Sequence, residues 1–285
     1  MKICFTDFQQ REVETFNELF ELENFNQIFF LDCSNLGLIN LPINITKLNN
    51  LKILIANNNS LSNLPLNFSH LENLEILYLS INNFIEIPEE LFKLKNLKKL
   101  FLSFNKIKLI SNEIDNLNKL QVLNLSYNNI ISLSKNIGNL INLVDLDLKN
   151  NYIASLPKSI VKLLELKRLN ISDNYLIVLP KNLHKLNNLE DILAENNKIK
   201  FLPKEFGKFQ NIKKMYFNHN NIKIIPKTFN NLETLEFLAL LKNQITDLYH
   251  NDKFIVNICD LPKVHLLVDI NNMLKENKIF KTYEN

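Results

Sequence analysis

Apolar residues recur along this chain with a period of 23 residues. Each unit opens on an apolar residue and repeats one at its fourth and sixth positions, as at Leu97, Leu100 and Leu102. Alternation of this kind is typical of a strand with one buried face. The units follow each other without insertion or deletion. Their ten opening residues are Ile28, Leu51, Leu74, Leu97, Leu120, Leu143, Leu166, Leu189, Ile212 and Leu235. The pattern predicts one elongated stack of short strands, although length alone would favour two globular domains.

The ninth position of the unit is polar in the middle of this apolar pattern. Only the first unit departs from asparagine there, with Leu36. The others carry Asn59, Asn82, Asn105, Asn128, Asn151, Asn174, Asn197, Asn220 and Asn243. A carboxamide both donates and accepts hydrogen bonds, and buried backbone groups need partners. We therefore predict an asparagine ladder that bonds the backbone of adjacent units.

The fifteenth position is the usual place for proline in this chain. Ser111 and Ser134 are exceptions. The prolines at this position are Pro42, Pro65, Pro88, Pro157, Pro180, Pro203 and Pro226. Apolar residues then follow at intervals of three, as at Ile160, Leu163 and Leu166. That spacing predicts a short 3₁₀ or irregular return segment, since the unit is too short for a full helix there.

The complete pattern resembles the leucine-rich repeat family in its 23-residue intracellular form, LxxLxLxxNxLxxLPxxIxxLxxL. The resemblance implies an α/β solenoid, a curved arc of ten coils with a parallel sheet on its concave face. We expect an N-terminal cap at 1–27, repeats at 28–250 and a C-terminal cap at 251–285. Helices are predicted from about residue 9 to 21 and over 263–276. The resemblance also implies a protein partner, with small GTPases and phosphatases among those known for the family.

Composition and single residues add little chemistry to this picture. The formal net charge is +3, and Cys4, Cys33 and Cys259 fit neither a disulfide framework nor a metal site. The sequence contains none of the common phosphate-binding, zinc or nucleophile motifs. We therefore predict a cytoplasmic, monomeric protein that is not an enzyme and that holds no cofactor or metal.

The second, third, fifth, seventh and eighth positions of each unit are expected to face solvent on the strands. In the N-terminal half they form what we call the aromatic patch, composed of Phe30, Ile53, Ile55, Ile76, Tyr78, Ile81, Phe101, Phe104, Val122 and Tyr127. The middle units form the acidic band, composed of Asp145, Asp147, Lys149, Arg168, Asp173, Asp191 and Glu195. Tyr216 and His219 follow on the same face.

Contiguous exposed apolar residues usually mark an interaction surface, with aromatic side chains as its anchors. We predict a protein partner on the concave face, with the aromatic patch as the hot spot and the acidic band as the rim. The competing interpretation is that these residues only reflect strand propensity and pairing between strands.

A second surface is basic and lies on the return segments. Its lysines are Lys135, Lys158, Lys162, Lys181, Lys185, Lys204, Lys208 and Lys227. Such a strip could bind nucleic acid or an anionic membrane. No arginine or aromatic residue interleaves with the lysines, which favours a solvated face. Electrostatic binding of this kind is therefore the alternative function.

Overall fold

The fold is seen in a computed structural model that describes residues 1–245 and the backbone of residues 265–268. Thirteen strands form one sheet. Two of them, β1 (Lys2–Phe5) and β2 (Gln10–Glu12), precede the repeats. The others are β3 (Ile28–Asp32), β4 (Ile53–Ile55), β5 (Ile76–Tyr78), β6 (Lys99–Phe101), β7 (Val122–Asn124), β8 (Asp145–Asp147), β9 (Arg168–Asn170), β10 (Asp191–Leu193), β11 (Lys214–Tyr216), β12 (Phe237–Leu240) and β13 (His265–Val268).

Strands β3 to β13 are parallel and pair in sequence order. The register follows the repeat, so Leu100 lies beside Leu77 on one side and Leu123 on the other. The middle residue of each three-residue strand is buried, and its two neighbours are partly exposed, except that Lys214 is exposed and Asn170 is buried. The sheet is open, with β2 and β13 at its edges among the described strands. The predicted solenoid with a parallel sheet is therefore confirmed.

Short 3₁₀ helices return the chain from one strand to the next. They lie at Phe25–Gln27, Ile43–Lys47, Phe68–His70, Glu89–Lys93, Asn112–Asn116, Lys135–Asn139, Lys158–Lys162, Lys181–Lys185, Lys204–Lys208 and Lys227–Asn231. Proline precedes most of the five-residue helices, with its fixed φ suited to the start of a helix. Serine precedes the other two helices and caps them instead. The Ser111 and Ser134 hydroxyls accept hydrogen bonds from Glu113 N and Asn136 N. The predicted return segments are confirmed.

The asparagine ladder forms as predicted, and Asn105 shows its geometry. Its Nδ2 donates to the carbonyl oxygens of Leu79, 3.0 Å away in the preceding coil, and of Leu102, 3.1 Å away in its own. Its Oδ1 accepts from Phe84 N at 3.0 Å. The same bonds recur 23 residues later at Asn128. Each carboxamide thus joins two coils and pairs backbone groups that water cannot reach.

A second asparagine ladder, which the sequence analysis did not identify, lies at the last position of the unit. Asn73 Nδ2 donates to Asn49 O at 2.8 Å, and Asn96 Nδ2 donates to Glu72 O at 2.8 Å. The same bond is made by Asn50, Asn142, Asn188 and Asn211. These bonds are exposed, so they align the turns between coils but contribute less than the buried ladder.

The N-terminal helix was predicted too long. Only α1 (Phe16–Glu21) is helical between residues 9 and 21, and Gln10–Glu12 is strand β2. Strand β1 pairs antiparallel with β3 and with β2, which satisfies the otherwise unpaired edge of the first coil. Thr15 ends the extended segment and starts the helix, because its Oγ1 accepts from Glu18 N at 3.2 Å.

The predicted C-terminal helix at 263–276 is wrong where it can be compared. His265–Val268 is a strand that pairs in parallel with β12. The pairing continues the sheet by one strand and covers the edge of β12, which a helix could not do through backbone hydrogen bonds. The other residues of that predicted helix, and the predicted boundary at residue 250, lie outside the described residues.

The two ladders predict different responses to the same substitution. We expect Asn105→Leu to lower the free energy of unfolding by about 3 kcal/mol, because it leaves several buried backbone groups without partners. Asn96→Leu should lower it by less than about 1 kcal/mol, because water can replace its exposed bond. Urea denaturation of both variants measures the difference, and equal losses would contradict the assigned roles.

Candidate functional site

One face of the sheet is exposed in the described coils and is called here the sheet face. Strand positions three and five carry their side chains there, while position four lies in the core. The structure brings the aromatic patch together on neighbouring strands, since Ile53, Ile76 and Lys99 are consecutive partners across β4, β5 and β6. The acidic band continues the same rows on β8 to β10. Both groups of predicted residues therefore share one surface.

Four aromatic side chains form two stacked pairs at the centre of the patch. The Tyr78 and Phe101 ring centroids are 4.3 Å apart, with 2° between the ring planes. The Phe104 and Tyr127 centroids are 4.1 Å apart, with 7° between the planes. Ring faces that cover each other leave ring edges toward solvent and hold the side chains in fixed orientations. The patch is therefore a rigid apolar surface.

The backbone at the eighth position of every repeat is left-handed. Its φ lies between 51° and 61° at Asn35, Asn58, Ile81, Phe104, Tyr127, Asn150, Asp173, Asn196, His219 and Lys242. Asparagine and aspartate tolerate this conformation, and they occupy half of these positions. A β-branched or bulky residue there is strained. Three successive coils nevertheless use Ile81, Phe104 and Tyr127, and the first two side chains are about half exposed, at 49% and 51%.

Arg168 organises the acidic band. Its Nη1 lies 3.6 Å from Asp145 Oδ1 and 3.8 Å from Asp147 Oδ2. Asp191 is its register partner on the other side. Lys149 joins the band to the patch, because its Nζ lies 3.6 Å from Asp173 Oδ2 and 5.9 Å from the centroid of the Tyr127 ring. The two surfaces are thus continuous.

Asp145 is a partly buried carboxylate of the band. Its Oδ1 is buried and has no hydrogen-bond partner among the described residues, although Arg168 is near. Burial raises the pKa of Asp145 above its usual value, Arg168 opposes that shift, and Asp147 and Asp191 add to it. The folded protein therefore favours the neutral form of this side chain more than the unfolded chain does.

Several predicted site residues also have a structural role. Asp147 Oδ1 accepts from Lys149 N at 3.0 Å, and Asp173 Oδ1 accepts from Asn196 Nδ2 at 2.8 Å. Glu195 Oε1 accepts from Asn218 Nδ2 at 2.6 Å. Asp147 is thus held by its own coil, and Asp173 and Glu195 are held by the next one. At the far end of the face, Tyr216 packs against Phe237 with centroids 5.0 Å apart, and His219 is exposed.

The sequence analysis missed a second exposed apolar row, on the flank that follows the asparagine ladder. Val178, Phe201 and Ile224 occupy the same repeat position in three successive coils and are 54%, 60% and 53% exposed. The same position is serine in two earlier coils, at Ser132 and Ser155, so the row is interrupted. In the sequence, this row is visible as apolar residues that lie two positions before the proline of each of these three units.

The lysine strip is exposed as predicted, and none of its eight lysines forms an ion pair with another described residue. No group of side chains in the described residues is arranged to hold a metal ion. Burial raises the pKa of Cys33 to about 12, so its thiol is an inert core residue. No helix among the described residues is long and apolar enough to span a membrane.

Comparison with known proteins identifies the family. The profile described as "Leucine-rich repeat region" matches residues 104–194, and that described as "Leucine rich repeat" matches residues 72–130. A solved leucine-rich repeat protein of Leptospira interrogans has a TM-score of 0.80 and 32% identity, covering 86% of this chain and 62% of that chain. No curated protein matches. The chain belongs to the leucine-rich repeat proteins.

Two receptors share the fold over a smaller part of their own length. A TDR receptor has a TM-score of 0.76 and 24% identity, covering 85% of this chain and 43% of that chain. The plant peptide hormone receptor RGFR1, solved in complex with RGF2, has a TM-score of 0.71 and 25% identity, covering 86% and 44%. The chain spans less than two thirds of each of these three structures. Leucine-rich repeat folds generally serve as protein–protein interaction scaffolds.

The raised pKa of Asp145 predicts a stability that depends on pH. The stability that the protonated Asp145 carboxyl contributes is fully present below the ordinary pKa of aspartate. It is lost as pH rises through the raised pKa of Asp145 in the folded protein. Asp145→Asn should therefore be more stable than wild type at pH 7, and the difference should disappear at a pH below the ordinary aspartate pKa. Thermal unfolding at both pH values tests this, and a variant less stable at pH 7 would contradict it.

Proposed function

We propose that this chain is a non-catalytic scaffold that binds one protein partner on its sheet face, with the aromatic patch as the main contact. Family membership supports a protein-binding role, and the patch supplies the apolar anchors that such interfaces use. Rigid, stacked rings lose little conformational freedom on binding, which favours affinity. A small GTPase or a phosphatase is the class of partner that the family resemblance suggests.

The observation that carries this proposal is the strained eighth position. Ile81, Phe104 and Tyr127 occupy left-handed backbone where five of the seven other coils use asparagine or aspartate. Strand propensity cannot explain these residues, because they lie after the strands and oppose the local conformation. Three adjacent departures toward apolar side chains at a stability cost are expected where the exposed side chain has a function.

The cellular location belongs to the same proposal. Cys4 and Cys33 are free and buried, which suits a reducing compartment. A cytoplasmic monomer is the form in which we expect the scaffold to act. Binding of nucleic acid or anionic membrane by the lysine strip stays the alternative.

The direct test is capture of partners from native cell extract. Tyr78→Ala/Phe101→Ala/Phe104→Ala should lose at least tenfold of the partner recovered by wild type, because hot-spot aromatic residues contribute about 2 kcal/mol or more each. Quantitative mass spectrometry of the captured proteins measures the loss. An unchanged set of partners on a folded variant rejects binding by the patch.

Two control variants separate the patch from the other exposed surfaces. Val178→Ala/Phe201→Ala/Ile224→Ala removes a similar apolar row from the flank and should keep the partner. Lys158→Gln/Lys181→Gln/Lys204→Gln neutralises part of the lysine strip and should also keep it. Loss of the partner only in the lysine variant would favour the alternative function.

The strained position also predicts opposite effects on stability and binding. Ile81→Asn should raise the free energy of unfolding by about 1 kcal/mol, since asparagine tolerates left-handed backbone. Asn58 already donates to Asn35 Oδ1 at 2.6 Å, which shows that this position accommodates adjacent asparagines. The variant should bind the captured partner more weakly.

The reverse substitution is the matched control for that prediction. Asn150 has a φ of 54° and lies outside the patch. Asn150→Ile should destabilise the protein by a similar amount and leave binding unchanged. Urea denaturation with a binding titration reports both quantities. If Ile81→Asn gains stability without any loss of binding, the proposal that the strained residue serves binding is contradicted.

A further inference from the structure

Charge on the sheet face changes abruptly along the solenoid. On β8 to β10 and the positions after them, the acidic band has five carboxylates and two cations, a net charge of −3. Lys167 and Glu190, at the edge of the same strands, pair with each other at 3.8 Å and leave that balance unchanged. The chain as a whole has a formal charge of +3. The band therefore has the opposite sign to the rest of the molecule.

We propose that the partner presents an extended segment with apolar side chains at one end and arginine or lysine at the other, lying along the solenoid across the strands. This inference rests on the proposed function and adds the chemistry of the partner. The apolar side chains contact the aromatic patch, and the basic side chains contact the acidic band around Arg168.

Charge complementarity supports a basic group at this place. Asp145 and Asp147 share one guanidinium, at distances of 3.6 and 3.8 Å, which exceed a good hydrogen bond, and Asp191 lies beside Arg168 on the next strand. Their capacity to accept hydrogen bonds is therefore incompletely used. A second guanidinium or ammonium group would supply the missing donors. A phosphate group would be repelled by the acidic band, which argues against nucleic acid and anionic lipid as its ligands.

The strand order sets the spacing within the partner. The centre of the patch lies between β5 and β6, and Arg168 is on β9, so the two are separated by about 17 Å at the usual strand spacing. An extended chain rises about 3.3 Å per residue, so about five residues span that distance. The exposed cations Lys213, which also pairs with Glu190 at 2.6 Å, and Lys214 follow at β11 and limit the basic contact to the band.

The overall field steers the segment to this site. A basic partner is repelled by the lysine strip and attracted by the band, so association should weaken as salt rises. The affinity of a segment bound in this way should contain an electrostatic part that a purely apolar contact does not have.

A random peptide library, displayed on phage and selected on the whole protein, tests the chemistry directly. Peptides enriched on wild type should combine aromatic or large aliphatic residues with arginine or lysine about five positions away. The best synthetic peptide should bind Asp145→Asn/Asp147→Asn/Asp191→Asn at least tenfold more weakly. Its affinity for wild type should fall between about 50 and 200 mM salt.

The amide variant is designed to preserve the fold. Asparagine already stands at the position of Asp147 in the neighbouring coils, where Asn124 and Asn170 make the equivalent bond to the backbone. A charge-matched control, Glu86→Gln/Glu89→Gln/Glu113→Gln, removes three exposed carboxylates away from the sheet face and should bind like wild type.

The outcomes separate the two proposals. This inference is overturned if the peptides need the aromatic patch but are not enriched in basic residues. It is also overturned if such peptides bind the amide variant as well as wild type. Either result leaves the proposed function intact. Enrichment of acidic peptides overturns it as well. No enrichment on wild type overturns this inference alone, because a folded partner could still bind the patch. Peptides insensitive to both the patch and the band overturn both proposals.

Discussion

The pairing of buried backbone groups by the asparagine ladder is the interaction on which this structure depends. Each coil must turn inward after only three residues of strand, and the turn leaves carbonyl and amide groups facing the core. One carboxamide in each coil after the first bonds them to its own coil and to the preceding one, as Asn105 does with Leu102 and Leu79. Because every coil meets the same need, the asparagines recur in strict register. The register in turn places the leucines in one continuous core.

The ladder also determines what the surface can do. The turn that it stabilises places the eighth residue of every unit in left-handed backbone, whatever that residue is, and does so even before Leu36 in the first unit. Asparagine or aspartate there agrees with the local conformation, whereas Ile81 and Phe104 do not. The frame is strong enough to hold these strained residues, because its hydrogen bonds and its core do not depend on them. A stable repeat can therefore carry exposed apolar residues whose backbone conformation is locally unfavourable. The aromatic patch is possible because the core and the asparagine ladder do not depend on its residues.

Much of the site could be predicted from the sequence, because strand periodicity assigns each residue to a face. Phe101 and Asp145 were placed on the exposed face by counting alone, and both lie there. The ends of the chain were harder. Val13, Phe16 and Leu19 have the apolar spacing of a helix, but the residues just before them form strand β2, which pairs with β1. His265–Val268 was assigned to a helix for the same reason and adds to the sheet. Both errors concern edges, where pairing with another segment outweighs local pattern.

The sequence by itself determined the repeat, the core, the asparagine ladder and the face on which each strand residue lies, because all of these follow from a period that is repeated in every unit. Only the tertiary structure decided how neighbouring side chains meet. The stacking of Tyr78 on Phe101, the sharing of Arg168 among carboxylates and the exposed row at Phe201 depend on contacts between coils. Those contacts are set by rotamers and by packing across 23 residues of intervening chain, which no pattern within one unit contains.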